Sequence, residues 1–181
     1  AKHYPTHAGV VSDTHTESAV DAREFGELWD DLQPYRHLVS TRLDAVMVAH
    51  VIFPEVDALP ASFSSWWLQE QLRGELGFTG AIISDDLSMA AAKSQGSYAE
   101  RAATALEAGC DMLLLCNAPE EIPAVLDSLK GYSNPPSQLH LMRLHGRGGE
   151  EYSSLQFSEA WRGARDMVDS LSIRPPLELE G

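Results

Sequence analysis

The sequence predicts an α/β fold built on a parallel β-sheet. Two observations support this prediction. Three apolar runs of strand length alternate with segments of helical spacing, and each strand–helix unit occupies about 30 residues. The runs lie at 43–49, 81–84 and 111–116. Because they contain almost no polar interruption, we expect these strands to be covered on both faces of the sheet.

Four helices are expected between and after these strands, in the ranges 25–41, 64–76, 98–108 and 119–129. Ser64 and Ser97 are N-cap candidates for the second and third helices. Gly77 and Gly109 are placed to end the same two helices. Within the first range, Pro34 favours a break or a late restart of the helix.

The carboxyl-terminal part of the chain is expected to be peripheral. A turn-rich break at 131–137 precedes two further helix candidates, at 138–144 and 158–171. We therefore expect three parts: a main domain, peripheral helices of the same domain and a loosely attached tail, at 1–130, 131–171 and 172–181.

The charge of the chain excludes two classes of partner. Thirteen lysines and arginines against 27 aspartates and glutamates give the 181 residues a net charge of −14. A charge this negative repels phosphate backbones and anionic lipids, so we predict neither a nucleic-acid partner nor a membrane partner. No apolar run approaches the roughly 18 residues that indicate a membrane span.

The two cysteines are expected to be unpaired. Cys110 and Cys116 lie six positions apart in one strand candidate, which separates them by about 20 Å on an extended chain. Two buried free thiols fit a reducing compartment. The first residues also lack a signal-peptide pattern. We therefore expect a cytoplasmic protein.

The first fifteen residues concentrate groups that bind metals or move protons, namely His3, His7, Asp13 and His15. Their spacing matches neither a helical HExxH face nor a CxxC knuckle, so we predict no metal site. Asp13 and His15 have a second interpretation. A neighbouring carboxylate fixes the tautomer of an imidazole and raises its basicity, which suits proton transfer. A plain surface loop is the alternative for this pair.

Polar side chains also follow two of the predicted strands. Asp85 and Asp86 end the run at 81–84, and the carboxyl end of a parallel strand is where barrel enzymes carry catalytic groups. One of the two aspartates could equally cap the next helix. His50 follows the run at 43–49 and either contacts substrate or supports a neighbour through hydrogen bonds.

Five long motifs occur in one order and spacing: KHYPTHAGVVSDTH, LDAVMVAHVIFPEVD, PASFSSWWLQEQLRGELGFTG, AIISDDLSMAAA and AGCDMLLLCN. Together they resemble the bacterial β-N-acetylglucosaminidases, or β-hexosaminidases, of glycoside hydrolase family 3, whose first signature reads KHFPGHG…DSH. The resemblance is strong over residues 2–130 and weaker in the segment RLHGRG. Thr6 and Ala8 stand where the family signature has glycines.

The resemblance implies a (β/α)8 TIM barrel that needs no metal or organic cofactor. It also implies release of terminal N-acetylglucosamine from muropeptides, or from a small glycoside, in peptidoglycan recycling. Because the matching motifs begin at about the family's fifth strand, we expect the carboxyl-terminal half of the barrel, about strands 5 to 8, with peripheral helices. Such a half is expected to self-associate or to need the missing amino-terminal half.

The resemblance also assigns roles to five residues. It makes Asp85 the nucleophile and His15 the acid/base, with Asp13 supporting His15. Lys2 and His3 are implied to bind sugar hydroxyls. A retaining glycosidase needs a nucleophile and a group that protonates the leaving oxygen and then deprotonates water. Asp85 and His15 divide these tasks.

Two alternatives remain open at the level of sequence. One is a glycoside phosphorylase of the same family, since a neutral acid/base tolerates anionic phosphate better than a carboxylate does. The other is a catalytically inactive half-barrel. The missing strands and the replacement of two glycines by Thr6 and Ala8 favour that second possibility.

Overall fold

The computed structural model describes residues 1–10, 19–146, 148–149 and 151–172. The chain divides into two compact units, Ala1–His145 and Gly146–Gly181. The first unit contains the strands β1 Ala19–Val20, β2 Ala45–Val48, β3 Val51–Phe53, β4 Asp57–Pro60, β5 Ala81–Asp86 and β6 Met112–Leu114. Its helices are α1 Trp29–Ser40, the π-helix Trp66–Glu75, α2 Tyr98–Ala108, α3 Ile122–Ser128 and α4 Pro135–Leu141.

A parallel sheet forms the centre of the first unit and confirms the predicted α/β class. Its strands lie in the order β2–β5–β6, and both neighbouring pairs are parallel. Residues 1–4 run beside β2, where Tyr4 N–H donates to the Met47 carbonyl at 2.8 Å and Ala49 N–H donates to the Tyr4 carbonyl at 2.8 Å. The carboxyl ends of these segments therefore meet at one edge of the sheet.

A second, mixed sheet was not predicted. Its order is β1–β3–β4, with β1 parallel to β3 and β3 antiparallel to β4. These strands have two, three and four residues. Such lengths are too short to show a period of two in the sequence, which is why the apolar pattern does not reveal them.

Apolar side chains fill the space between the parallel sheet and the helices packed on it. The ring of Tyr4 is fully buried and makes edge contacts with Tyr35 of α1 and with Trp67 of the π-helix, at centroid distances of 5.1 and 5.9 Å. Val46 and Val48 of β2 are also fully buried. This packing fixes the segment that carries His3 against the sheet.

The predicted helix ends are confirmed where a specific residue marks them. Ser97 and Glu100 exchange the two hydrogen bonds of a capping box at the start of α2. Gly109 ends that helix at φ 122°, and Gly77 follows the π-helix at φ 68°. Both glycines occupy the left-handed region that side chains disfavour.

The predicted break at Pro34 is wrong, because α1 continues through this residue. A proline removes the N–H that would bond to the carbonyl four residues earlier, here that of Asp30. Pro34 and Asp30 are both exposed, so water reaches the freed carbonyl. Leu32 and Tyr35 hold the opposite side of the helix in the core.

The break predicted at 131–137 is shorter than expected. Helix α4 already begins at Pro135, after the N-cap Asn134, whose side chain accepts a hydrogen bond from Ser137 N–H at 3.3 Å. Proline is tolerated in the first turn of a helix because no donor is needed there.

The second unit contributes two helices to the part of the chain that the structure describes, α5 Tyr152–Leu155 and α6 Glu159–Ser172. The second corresponds to the helix predicted at 158–171. Among the residues described, no helix combines the length and the apolar character needed to cross a membrane. The residues of the predicted tail that follow Ser172 lie outside the described residues.

Candidate active site

Polar side chains gather where the parallel segments end. His3 lies within the segment beside β2, His50 follows β2, Asp85 and Asp86 end β5, and Asn117 follows β6. Because these segments are parallel, their carboxyl ends share one edge of the sheet, which is where α/β folds bind ligands. Asn117 is not among the residues predicted from the sequence, and its position just after a strand is the signal that marks it there.

Asp85 presents one carboxylate oxygen to the backbone of the next residue and the other to His3. Its Oδ1 accepts a hydrogen bond from Asp86 N–H at 2.9 Å. Its Oδ2 lies 3.8 Å from His3 Nε2. The residue is 9% exposed. The fold therefore brings two of the sequence-predicted site residues together and holds the carboxylate in one orientation.

His3 and His7 form a pair of imidazoles next to Asp85. Their ring centroids lie 5.0 Å apart in an edge contact. Burial lowers the pKa of His3, against the opposing effect of Asp85, and burial also lowers the pKa of His7. Both rings are therefore neutral at pH 7. Nε2 of His7 is buried without a hydrogen-bond partner among the described residues.

A cleft of about 450 Å³ opens between the first segment and α1. Lys2, His3, Thr6 and His7 line one side, and the residues of α1 on the other side include Asp30, Asp31 and Tyr35. The volume is that of a small-ligand site. The two residues predicted to bind sugar hydroxyls, Lys2 and His3, thus line the same cleft.

Asp86 is saturated with hydrogen-bond donors, unlike Asp85. Its Oδ1 accepts from the backbone N–H groups of Ser88 and Cys116 at 2.9 and 3.0 Å. Its Oδ2 accepts from Ser88 Oγ at 2.6 Å and from Asn117 Nδ2 at 2.9 Å. Burial by itself raises the pKa of Asp86, but these donors outweigh burial and hold the pKa below its ordinary value. Asp86 is therefore an anion that fixes the turn after β5 and the end of β6.

His50 is buried and makes hydrogen bonds with both ring nitrogens. Its Nδ1 lies 2.5 Å from Ser62 Oγ, and its Nε2 lies 3.1 Å from the Asp86 carbonyl oxygen. The ring also stacks on Phe63 at 5.2 Å. The residue is 1% exposed. Of the two interpretations of His50, the structure favours support of a neighbour over direct contact with substrate.

The pair Asp13 and His15 lies in residues 11–18, outside the described residues. The preceding residues show how the departures from the family signature are accommodated. Thr6 Oγ1 accepts a hydrogen bond from Ala8 N–H at 2.9 Å. Neither Thr6 nor Ala8 has a positive φ. The two positions therefore do not need glycine for backbone reasons in this chain.

The two thiols differ in their surroundings. Cys110 is buried, but Cys116 is exposed, and both are free. The expectation of two buried thiols is wrong for Cys116 because β6 ends at Leu114, so the sheet no longer covers the residue. Among the residues described, no three histidine, cysteine, aspartate or glutamate side chains are arranged to hold a metal ion.

Another buried carboxylate, Asp111, lies just before β6 and therefore at the opposite edge of the sheet. It accepts hydrogen bonds from Arg73 at 2.6 Å, Ser137 Oγ at 2.6 Å and Ile82 N–H at 2.8 Å. His140 Nδ1 lies 3.0 Å from it. Ser137 and His140 belong to α4, so this cluster attaches α4 to the sheet.

Comparison with known proteins agrees with the α/β fold. Residues 1–140 match the glycosyl hydrolase family 3 N terminal domain. A beta-hexosaminidase of Thioalkalivibrio sulfidiphilus is 45% identical over 179 residues, which are 99% of this chain and 52% of that protein. A beta-hexosaminidase of Hydrogenovibrio crunogenus is 48% identical over 169 residues, which are 93% of this chain and 47% of that protein.

Among solved structures, NagZ from Neisseria gonorrhoeae in complex with N-trifluoroacetyl-D-glucosamine matches with a TM-score of 0.78 and 35% identity. The match covers 94% of this chain and 49% of that one. The chain therefore spans about half the length of the relatives it matches. On the extent of these matches, the chain belongs to glycosyl hydrolase family 3.

Proposed function

We propose that this chain forms the carboxyl-terminal half of the (β/α)8 catalytic barrel of a retaining exo-β-N-acetylglucosaminidase. Four parallel segments support the proposal: residues 1–4, β2, β5 and β6. Residues 1–130 supply the half-barrel, and 131–171 supply peripheral helices of the same domain, ahead of the tail at 172–181. The attachment of α4 to Asp111 supports the assignment of α4 to this domain.

The geometry of Asp85 is the observation that carries the proposal. A nucleophile must place one free carboxylate oxygen beside the sugar at the edge where the strands end. Oδ1 of Asp85 is held by a backbone N–H, whereas Oδ2 faces the imidazole of His3. Neighbouring Asp86 carries four hydrogen bonds and has no free oxygen. Asp85 is therefore the carboxylate suited to attack.

The reaction proceeds in two displacements. Oδ2 of Asp85 attacks the anomeric carbon, and the bond to the leaving oxygen breaks as His15 donates a proton to that oxygen. The neutral His15, oriented by Asp13, then takes a proton from water, which attacks the glycosyl ester and releases the sugar and the Asp85 carboxylate. Lys2 and His3 bind hydroxyls of the same sugar.

The substrate class follows from the relatives. Two are named beta-hexosaminidase, and the structural neighbour holds N-trifluoroacetyl-D-glucosamine. We propose terminal N-acetylglucosamine of muropeptides or small glycosides as substrate, in cytoplasmic peptidoglycan recycling, with no cofactor. The net charge of −14 supports the absence of nucleic-acid and anionic-membrane partners.

The open side of the sheet supports the need for a second half. Strand β6 ends the parallel sheet, with no further strand beside it among the residues described. Next to it lies an apolar groove of about 520 Å³, whose lining includes Leu113, Leu115, Val125, Leu126 and Leu129. A barrel closes by pairing its first and last strands. We propose that the amino-terminal half of the protein covers this groove.

The test uses the full-length protein, with both halves, and a chromogenic N-acetyl-β-glucosaminide. We expect free N-acetylglucosamine with retained anomeric configuration, at a rate independent of phosphate. Asp85→Asn should lower kcat by several powers of ten, at least about 10³-fold. Asp127→Asn, at an exposed carboxylate paired with Lys130, is the matched control and should leave kcat unchanged.

Phosphate-dependent release of a sugar 1-phosphate would replace the hydrolase with the phosphorylase. Release of the inverted anomer would contradict a covalent intermediate. Undiminished turnover by Asp85→Asn would overturn the assignment of the nucleophile.

A further inference from the structure

Asp86 has hydrogen bonds on its backbone as well as on its carboxylate. Its N–H donates to Asp85 Oδ1 at 2.9 Å, and its carbonyl oxygen lies 3.1 Å from His50 Nε2. The residue therefore stands between the proposed nucleophile and the imidazole of the neighbouring strand end. A displacement of its backbone would move the donor that orients Asp85.

The hydrogen bonds of His50 define its tautomer. A carbonyl oxygen only accepts, so Nε2 carries the proton that is donated to Asp86. Nδ1 of the neutral ring then accepts the hydroxyl proton of Ser62. Burial lowers the pKa of His50, which keeps the ring in this neutral form.

Ser62 is itself fixed, so the chain of contacts does not end in a mobile side chain. The residue is fully buried in the turn Ala61–Phe63. Its N–H donates to the Ala49 carbonyl at 3.2 Å, directly before His50. The stacked ring of Phe63 restricts the imidazole from its face.

We propose that His50 is a positioning residue for the nucleophile. Through the carbonyl of Asp86 it fixes the backbone whose N–H holds Oδ1 of Asp85, and this leaves Oδ2 aimed toward His3 and the sugar. The inference rests on the proposed function, because it concerns the orientation of Asp85 as nucleophile. It extends that function to a side chain that does not touch the substrate.

Two substitutions distinguish the effect of the hydrogen bond to Asp86 from the effect of losing the imidazole ring. Glutamine at position 50 carries its amide nitrogen at nearly the reach of Nε2, so His50→Gln keeps a donor for Asp86. Asparagine is one carbon shorter, so His50→Asn still reaches Ser62 but not Asp86. A purely structural role predicts the same change in the labelling rate of Asp85 for both variants. A positioning role predicts slower labelling in the variant with the shorter amide.

The measured quantity is the rate at which a slow fluorinated N-acetylglucosaminide labels Asp85 in the full-length protein, read by peptide mass mapping. A displacement of about 1 Å at a reacting group costs about 100-fold in rate. We therefore expect His50→Asn to label about 10- to 100-fold more slowly with little change in inhibitor affinity, and His50→Gln to stay within about 5-fold of the wild type.

His140→Ala is the matched control, because it removes a histidine contact with a buried carboxylate at the opposite edge of the sheet. It should lower the melting temperature and leave the labelling rate unchanged. If His50→Asn does not fold, Ser62→Ala frees only the Nδ1 side of the ring. We expect this variant to label about 3- to 10-fold more slowly.

An equal loss of labelling rate in His50→Asn and His50→Gln would overturn the inference, and so would an unchanged labelling rate in His50→Asn or Ser62→Ala. In each of these cases Asp85 remains the nucleophile. A label on any residue other than Asp85 would overturn the proposed function, and the inference with it.

Discussion

We expect Asp86→Ala to lower the free energy of unfolding of the full-length protein by about 2–4 kcal/mol. Two of the four donors to Asp86 are the backbone N–H groups of Ser88 and Cys116, which cannot turn away. A buried donor left unpaired costs about 1–3 kcal/mol. Because Ser88 is half-buried and Cys116 exposed, water satisfies part of this loss. The two side-chain donors rotate toward solvent at smaller cost.

Asparagine at the same position should cost less, about 1–2 kcal/mol. It keeps an acceptor for the two backbone donors and places its amide where Ser88 Oγ and Asn117 can reorient. What it removes is the charge. Since the pKa of Asp86 lies below its ordinary value of about 3.9, the charged form stabilises the fold above that pH. This stability is lost as the pH falls through the folded-state pKa.

Urea unfolding of the wild type, Asp86→Ala and Asp86→Asn at several pH values measures these terms. The difference between wild type and Asp86→Asn should be full at pH 7 and shrink from about pH 5 downward. Asp127→Asn, at an exposed carboxylate, is the control and should match the wild type at pH 7. An equal loss of unfolding free energy in Asp86→Ala and Asp86→Asn would refute the role of the Asp86 carboxylate in fixing the turn after β5. A difference between wild type and Asp86→Asn that does not change with pH would also refute it.

Three further predictions concern the proposed acid/base His15, the cluster around Asp111 and the 181-residue chain by itself. In the full-length protein, His15→Ala should lower kcat far more for substrates with poor leaving groups than for activated phenyl glycosides, because only the former need protonation of the leaving oxygen. Asp13→Ala should have the same effect, but a smaller one. Equal loss on both substrate types would contradict the acid/base role. Asp111→Ala should lower the free energy of unfolding by about 2–4 kcal/mol, because Arg73, Ser137 and the Ile82 N–H all lose an acceptor. It should leave kcat nearly unchanged, and a loss of kcat in the folded variant would contradict a structural role. The 181-residue chain alone should self-associate in size-exclusion chromatography with light scattering and show no turnover, because β6 and the groove beside it stay open; a monomer that turns over substrate would contradict this expectation.

The sequence could predict the features that depend on neighbouring residues. The strands β2, β5 and β6 appear as continuous apolar runs, and α2 is marked by Ser97 before it and Gly109 after it. These signals involve residues that are close together in the sequence, so they can be recognised without knowledge of the fold.

The networks that fix the site could not be predicted because sequence-distant residues form them. Asp86 meets Asn117 only because β5 pairs with β6, and His50 reaches Asp86 only because β2 pairs with β5. The sequence therefore left open whether Asp85 or Asp86 is the structural carboxylate. The hydrogen bonds favour Asp86 as the structural carboxylate, since it accepts from four donors.

The decisive measurement is the site at which the full-length protein is covalently modified. Full-length protein is incubated with a slow fluorinated N-acetylglucosaminide, digested, and the modified peptide is sequenced by mass spectrometry. We expect one glycosyl ester, on Asp85, that disappears with recovery of turnover when the excess reagent is removed. An ester on Asp86 or elsewhere, or turnover without any covalent adduct, would overturn Asp85 as the nucleophile.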